Sequence, residues 1–212
     1  EFLELLRGRW RPSASPPSFG IAPMVAATLL LASTATLIAA PLALGVVAFA
    51  QGIGPRPLAR LSMATVHFMT GIPTVLYGFV SVFLLVPILR HLGMGGFSLL
   101  AASLALALLV APTIVLTLQG RIEAAGPEIR ISCAALGLRP ADTFLRVLLP
   151  LCGPGLLSAI LLGFCRAVGD TVIALMVAGN APQFPGTLLD AGRALTAHIA
   201  LVLATEIGRA HV

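Results

Sequence analysis

The sequence predicts an all-α fold, a polytopic transmembrane helical bundle, on three observations. First, 58% of the 212 residues are hydrophobic and only 10% are charged, against about 25% charged in a soluble domain. Second, the mean hydropathy is +1.02. Third, the apolar residues gather into runs that match the ~20 helical residues needed to cross about 30 Å of hydrocarbon. The runs are continuous, whereas a barrel strand would alternate apolar and polar residues over about 10 positions.

The elements follow in order. Residues 1–20 read as an external loop segment, with Trp10 as an interface anchor. The bundle itself is expected over residues 21–204. Its spans are 21–50, with Pro41 and Gly45 offering a kink; 67–89, with Gly71-Ile72-Pro73 near its start; 97–118; and 151–178. A partial span covers 194–204. Prolines are tolerated in such helices because neighbouring helices and waters satisfy the freed backbone groups, and the many Gly and Ala residues permit close packing in lipid.

The Arg bias sets orientation. Residues 51–66 carry Arg56 and Arg60, and residues 119–150 carry Arg121, Arg130, Arg139 and Arg146. Both loops are therefore expected in the cytoplasm. Arg7, Arg9 and Arg11 then fall outside, against the rule, which an earlier span would ease. The chain opens at Glu1 without Met, and residues 207–212 read as a translated sequencing-adapter scar.

Composition excludes several functions. All 13 basic residues are Arg, and the net charge is +5. They stand singly between apolar runs rather than clustered on one face, so no nucleic-acid partner is expected. Cys133, Cys152 and Cys165 lack metal-ligand spacing and read as free buried thiols, with no metal and no cofactor. The sequence has no His-Glu-x-x-His, no Gly-x-Ser-x-Gly and no intramembrane Asp pair on separate spans, which argues against an intramembrane enzyme. It has no Gly-x-x-x-x-Gly-Lys-Ser/Thr loop, so ATP hydrolysis of that kind would belong to a separate chain.

Two segments carry candidate chemistry. Within 119–150, Pro127 suits the first turn of a helix, Gly137 suits its stop, and Pro140 starts a second helix over 141–149 that Pro150 breaks. Phe144, Val147 and Leu148 share one side of it, opposite Asp142 and Arg146. This polar elbow between apolar spans reads as a docking surface for a soluble partner, or as an ordinary interfacial loop. The other segment holds Arg166 and Asp170, i and i+4 in mid-span, able to pair on one helix face. An Arg there costs about 2.5–3.5 kcal/mol on insertion scales, which makes it a functional candidate. Its planar fork suits an oxyanion. Asp170 would hold the fork in the absence of substrate, or accept a proton from a protonated oxyanion and so favour phosphate over sulfate. An ion pair that only packs helices is the alternative.

These motifs resemble a family. Gly137 and Leu138 through Leu149-Pro150 keep the spacing of the docking loop of ABC importer permeases, Glu-Ala-Ala, three residues, Gly, nine residues, Ile-x-Leu-Pro, although Ile131, Ser132 and Cys133 fill the Glu-Ala-Ala places. Gly163-Phe164-Cys165-Arg166-Ala167-Val168-Gly169-Asp170-Thr171, followed by Val177-Ala178-Gly179-Asn180, resembles the Gly-x-x-Arg-Ala-x-Gly-Glu-Thr…Val-Ala-Gly-Asn pattern of Pst-type phosphate ABC permeases, C-type subunit, with Asp170 for Glu. Thr70–Phe79 and Arg193–Ala200 match two further segments in register.

The resemblance implies a type I, MetI-like ABC importer permease fold in a bacterial cytoplasmic (inner) membrane, lacking here the first span and most of the last. It implies a homologous A-type permease subunit, a dimer of cytoplasmic ATP-binding subunits and an external phosphate-binding protein as partners. Arg166, Asp170, Thr171 and His198 would line the substrate path. Ile131, Ser132, Cys133, Gly137, Leu138, Pro140, Leu149 and Pro150 would dock the ATPase. Another oxyanion (sulfate, molybdate, phosphonate) and a regulatory membrane sensor without transport remain alternative readings.

Overall fold

The computed structural model describes residues 10–11, 15 and 18–210, without the side chains of Arg11 and residues 206–210. Arg7, Arg9 and Pro12 of the expected external loop, and the last two residues of the expected scar, lie outside these. The described residues are mostly helical, with a short antiparallel pair, β1 (Trp10–Arg11) with β2 (Ser18–Phe19), in which Trp10 faces Phe19.

The helices are α1 (Ala22–Ile53), α2 (Arg56–Thr70), α3 (Thr74–His91), α4 (Leu99–Ala124), α5 (Pro127–Ala135), α6 (Pro140–Leu151), α7 (Gly153–Gly169), α8 (Val172–Val177) and α9 (Leu195–Ala210). Helices α1, α3 and α4 are each long and apolar enough to cross a membrane, and α6 with α7 forms a fourth candidate bent by 75°. Contacts divide the chain into two compact units. One takes the described residues up to Ala35, Pro73–Leu106 and those from Arg166 onward; the other takes Thr36–Ile72 and Ala107–Cys165.

Several helix limits differ from those the sequence predicts, each for a local reason. The stretch 67–89 is not one helix: α2 ends at Thr70, and α3 starts after Pro73, whose ψ of 141° is extended. Gly71-Ile72-Pro73 breaks the helix rather than kinking it. Conversely, α1 runs unbroken through Pro41 and Gly45, ending in a widened turn, Phe49–Ile53, where Gly52 takes φ 112°.

Pro150 does not end the second elbow helix either. A proline ring clashes with the carbonyl four residues back. Here the turn before it, Thr143–Leu148, is π-helical, and Leu149 N–H reaches Phe144 O instead. Helix α3 uses the same device: Ser81–Leu85 is π-helical, Val86 N–H reaches Ser81 O, and Pro87 follows. Such widening re-satisfies backbone groups freed by proline. Helix α6 therefore continues to Leu151 and breaks at Cys152, after which Pro154 sits in the first turn of α7.

The first unit buries small residues on α1, α4 and α8, among them Ala27, Ala32, Ala101, Ala102 and Ala174. Ser103 Oγ donates to Leu31 O at 3.3 Å, joining α4 to α1. The second unit buries Val110, Ile114, Leu118, Phe144 and Leu148. Gly163 on α7 lies so close to α4 that a Cβ there would stand 2.7 Å from Ile114 Cγ1. Small residues at such approaches let helix backbones close in where lipid supplies no hydrophobic drive.

Candidate functional site

Two sets of residues come out of the helices, one in each unit. In the first unit the expected 151–178 span is interrupted. Helix α7 ends at Gly169, and α8 starts at Val172. Arg166 and Asp170 thus do not share a continuous helix, and the expected ion pair between them is not formed: among the described residues the ion pair at contact distance joins Arg146 to Asp142 at 3.2 Å. Asp170 Oδ2 instead accepts the backbone N–H of Ile173 at 2.8 Å, in the first turn of α8. Short carboxylates compete for backbone donors in this way and favour helix starts. Arg166 stands in the last turn of α7, exposed, where its charge complements the negative end of the helix dipole.

Around this break lie the other expected path residues. Thr171 occupies the position before α8, and its side chain accepts no capping hydrogen bond. Thr196 Oγ1 donates to Asp170 O at 3.0 Å, tying α9 to the break. Thr28 Oγ1 accepts the N–H of Leu195 at 2.8 Å and so caps the start of α9 from α1. His198, expected on the substrate path, is 5% exposed. Trp10 sits edge-on over its ring at 4.4 Å, and Arg193 Nη1 lies 3.4 Å from its Nδ1.

The Val177-Ala178-Gly179-Asn180 motif proves to be a helix ending. Gly179 and Asn180 take φ 85° and 54°. Asn180 Nδ2 donates to Leu175 O at 2.7 Å, and Gly192 N–H donates to Ala178 O at 2.8 Å. Arg193 Nε donates to Asn180 O at 2.9 Å, and burial lowers the Arg193 pKa from its ordinary value. The returning loop also caps α4, whose Leu99 and Leu100 N–H groups donate to Asp190 O and Leu188 O at 3.0 and 2.7 Å.

In the second unit, the 119–150 elbow has the expected two helices. Pro127 is in the first turn of α5, and Gly137 takes φ 73° just past its end. Leu138 N–H reaches Cys133 O and Gly137 N–H reaches Ala134 O, each at 3.0 Å. That pair of bonds is a Schellman motif, which satisfies carbonyls a helix end would otherwise leave open. Phe144 and Leu148 of α6 are each 1% exposed and anchor the elbow.

Outward, the α5 end of the elbow presents Ile131 at 67% and, just past the helix, Leu136 at 80% exposure, with Ser132 and Gly137 also exposed. Leu138 and Leu149 are half-buried, Pro140 and Pro150 exposed, and Cys133 buried. Cys133, Cys152 and Cys165 are free, but Cys165 is exposed, not buried as expected, because it lies on the outer side of α7 beside Arg166.

Sequence reasoning read Arg121 and Arg130 only as loop charges and missed two contacts they make in this region. Arg130 Nη2 donates to Gln51 Oε1. Arg121 offers its backbone carbonyl to the Cys152 thiol at 3.8 Å. Both links are long-range, and no local pattern announces them.

Residues 43–205 match the family described as binding-protein-dependent transport system inner membrane component. The chain is 32% identical, over 95% of its length, to a probable ABC transporter permease protein, YqgH, of Bacillus subtilis. It is 30% identical over 86% to phosphate transport system permease protein PstC 2 of Mycobacterium tuberculosis, and 26% identical over 94% to PstC of Mesorhizobium japonicum. It spans 65%, 63% and 67% of those three relatives. A crystal structure of an amino acid ABC transporter with histidines shares the fold, with a TM-score of 0.62 at 17% identity over 87% of this chain and 78% of that one. The match across three-quarters of the sequence, on helices that carry both the broken span and the elbow, places this chain in the family of inner membrane components of binding-protein-dependent transport systems.

Proposed function

We propose that this protein is a membrane permease subunit of an ATP-driven importer of inorganic phosphate, forming the translocation path and docking the ATPase. The observation that carries the substrate is Arg166: a guanidinium in an apolar helix, exposed, with its expected carboxylate partner committed to the Ile173 N–H. An exposed guanidinium in so apolar a segment is suited to an oxyanion, which its fork can bind with two parallel hydrogen bonds. The names of the PstC relatives support phosphate among the oxyanions. The apolar outer face of α5 supports the docking role, since Ile131 and Leu136 gain from burial against a soluble partner.

The partners of this reading are a homologous A-type permease subunit, a pair of cytoplasmic ATP-binding subunits, an external phosphate-binding protein and the bilayer. The test is uptake of labelled phosphate by the native locus in a host lacking its own C-type subunit, with Arg166→Gln beside the wild type. Wild-type rescue and a loss of about tenfold or more in the variant, at equal membrane level and ATPase docking, is expected from losing charge-assisted bonds. Full assembly without phosphate uptake would point to sulfate, molybdate or phosphonate.

A further inference from the structure

The last turn of α1 touches both helices of the elbow. Gln51 accepts from Arg130 of α5, three residues after Pro127. The next residue, Gly52, faces Pro140 at the start of α6: a Cβ on Gly52 would stand 2.9 Å from Pro140 Cβ, and its φ of 112° already excludes most side chains. The two contacts straddle the Gly137 turn. A third tie holds the far end, where a Cβ on Gly155 would stand 2.9 Å from Arg121 Cγ. Beside Arg130 opens a cavity of about 390 Å³, lined also by Gln51, Gln119 and Glu123. Arg130 is therefore set by a hydrogen bond at the edge of open space rather than by close packing on all sides.

We propose that the Gln51–Arg130 hydrogen bond is the link through which movement of the docking helix α5 is passed into α1, with Gly52 against Pro140 as its stop. The inference rests on the ATPase-docking reading of the elbow. Gln51 and Arg130 are positioning residues: they touch neither substrate nor nucleotide. Removing the bond leaves the exposed docking face of Ile131 and Leu136 in place, so it uncouples rather than undocks. Both elbow contacts converge on consecutive residues, Gln51 and Gly52, in the widened last turn of α1, so a shift of the elbow acts on one point at the end of that helix.

The test uses the assembled transporter in proteoliposomes with its ATPase and binding protein, reading inorganic phosphate accumulated per ATP hydrolysed. Gln51→Leu and Arg130→Met each lower that ratio by about threefold or more, as expected when a coupling contact is lost. The double variant is no worse than either single one. The exchange Gln51→Arg with Arg130→Gln restores the ratio, and keeps the test decisive if the apolar variants fail to assemble. Co-purification of the ATPase stays at the wild-type level throughout. An unchanged ratio in the single variants, additive losses, no recovery in the exchange, or loss of the ATPase from the variants alone overturns the inference while the docking reading stands. Absence of the ATPase from the wild-type complex overturns the docking reading, and this inference with it.

Discussion

Asp170 shows how one residue separates two explanations of the same motif. Its carboxylate could serve the anion path through its charge, or serve the chain through its bond to the Ile173 N–H. An amide oxygen accepts that bond as well as a carboxylate oxygen does. Asp170→Asn therefore keeps the start of α8, whereas Asp170→Ala loses it, at a cost of about 0.5–2 kcal/mol. Thermal unfolding in detergent should leave Asn near wild type and lower Ala. If the charge also selects a protonated oxyanion, Asn will lose preference for phosphate over sulfate at unchanged stability; an unchanged preference confines Asp170 to its backbone role. Gly179 is a purely structural counterpart. Its φ is 85°, and a Cβ would stand 2.7 Å from Ala191 Cβ. Gly179→Ala should destabilise by about 2 kcal/mol or more, from the positive φ and the overpacking, which the same melting measurement reads.

Among the elements, the elbow has the clearest local logic. A Cβ on Gly137 would meet nothing within 4 Å, so Gly137→Ala acts through φ 73° alone. The expected cost is about 1–2 kcal/mol, concentrated in the Schellman bonds. Amide exchange at Gly137 and Leu138 should speed by about tenfold while α6 is unaffected; equal loosening of α6 would mean the turn also holds Phe144 in place. Such features were legible in the sequence because Pro127, Gly137 and Pro140 each constrain their own backbone. Other limits were not. The break at Asp170–Thr171 lies between two apolar stretches that together read as one span, and hydropathy is blind to a carboxylate that turns back on its own chain. Pro150 misled for the opposite reason: its penalty is real, but widening the preceding turn to Leu149 N–H···O Phe144 removes it. The Cys-Gly-Pro-Gly run at 152–155 did carry the signal for the true break. Arg130 with Gln51 is separated by 79 residues, beyond any local reading. The site was legible as residue types and illegible as partners: Arg166 stood out by its cost in lipid, but which group Asp170 would bind depended on where the helix stopped.

For the whole molecule, the functional reading requires the elbow to face the ATPase and the 179–194 loop to face the binding protein. The basic loops 51–66 and 119–150 favour the cytoplasm over the alternate loops, which carry Arg90 and Arg193, while Arg7, Arg9 and Arg11 before the first span count against this orientation. The prediction can be checked with single cysteines and a membrane-impermeant maleimide. Cys165 is exposed and must be replaced first, while Cys133 and Cys152 are buried and are replaced to keep the background clean. Glu128 and Arg139 are exposed on the elbow; Met94 and Gln183 are exposed on the alternate loops. A cysteine at 94 or 183 should label in intact cells freed of their outer barrier, and one at 128 or 139 only after the membrane is opened. The reverse pattern would place the elbow out of reach of ATP and remove the docking role. Labelling at 128 and 139 that is further blocked by the ATPase after opening would tie the orientation to the assembly, since the face carrying Ile131 and Leu136 is the part a soluble partner must cover.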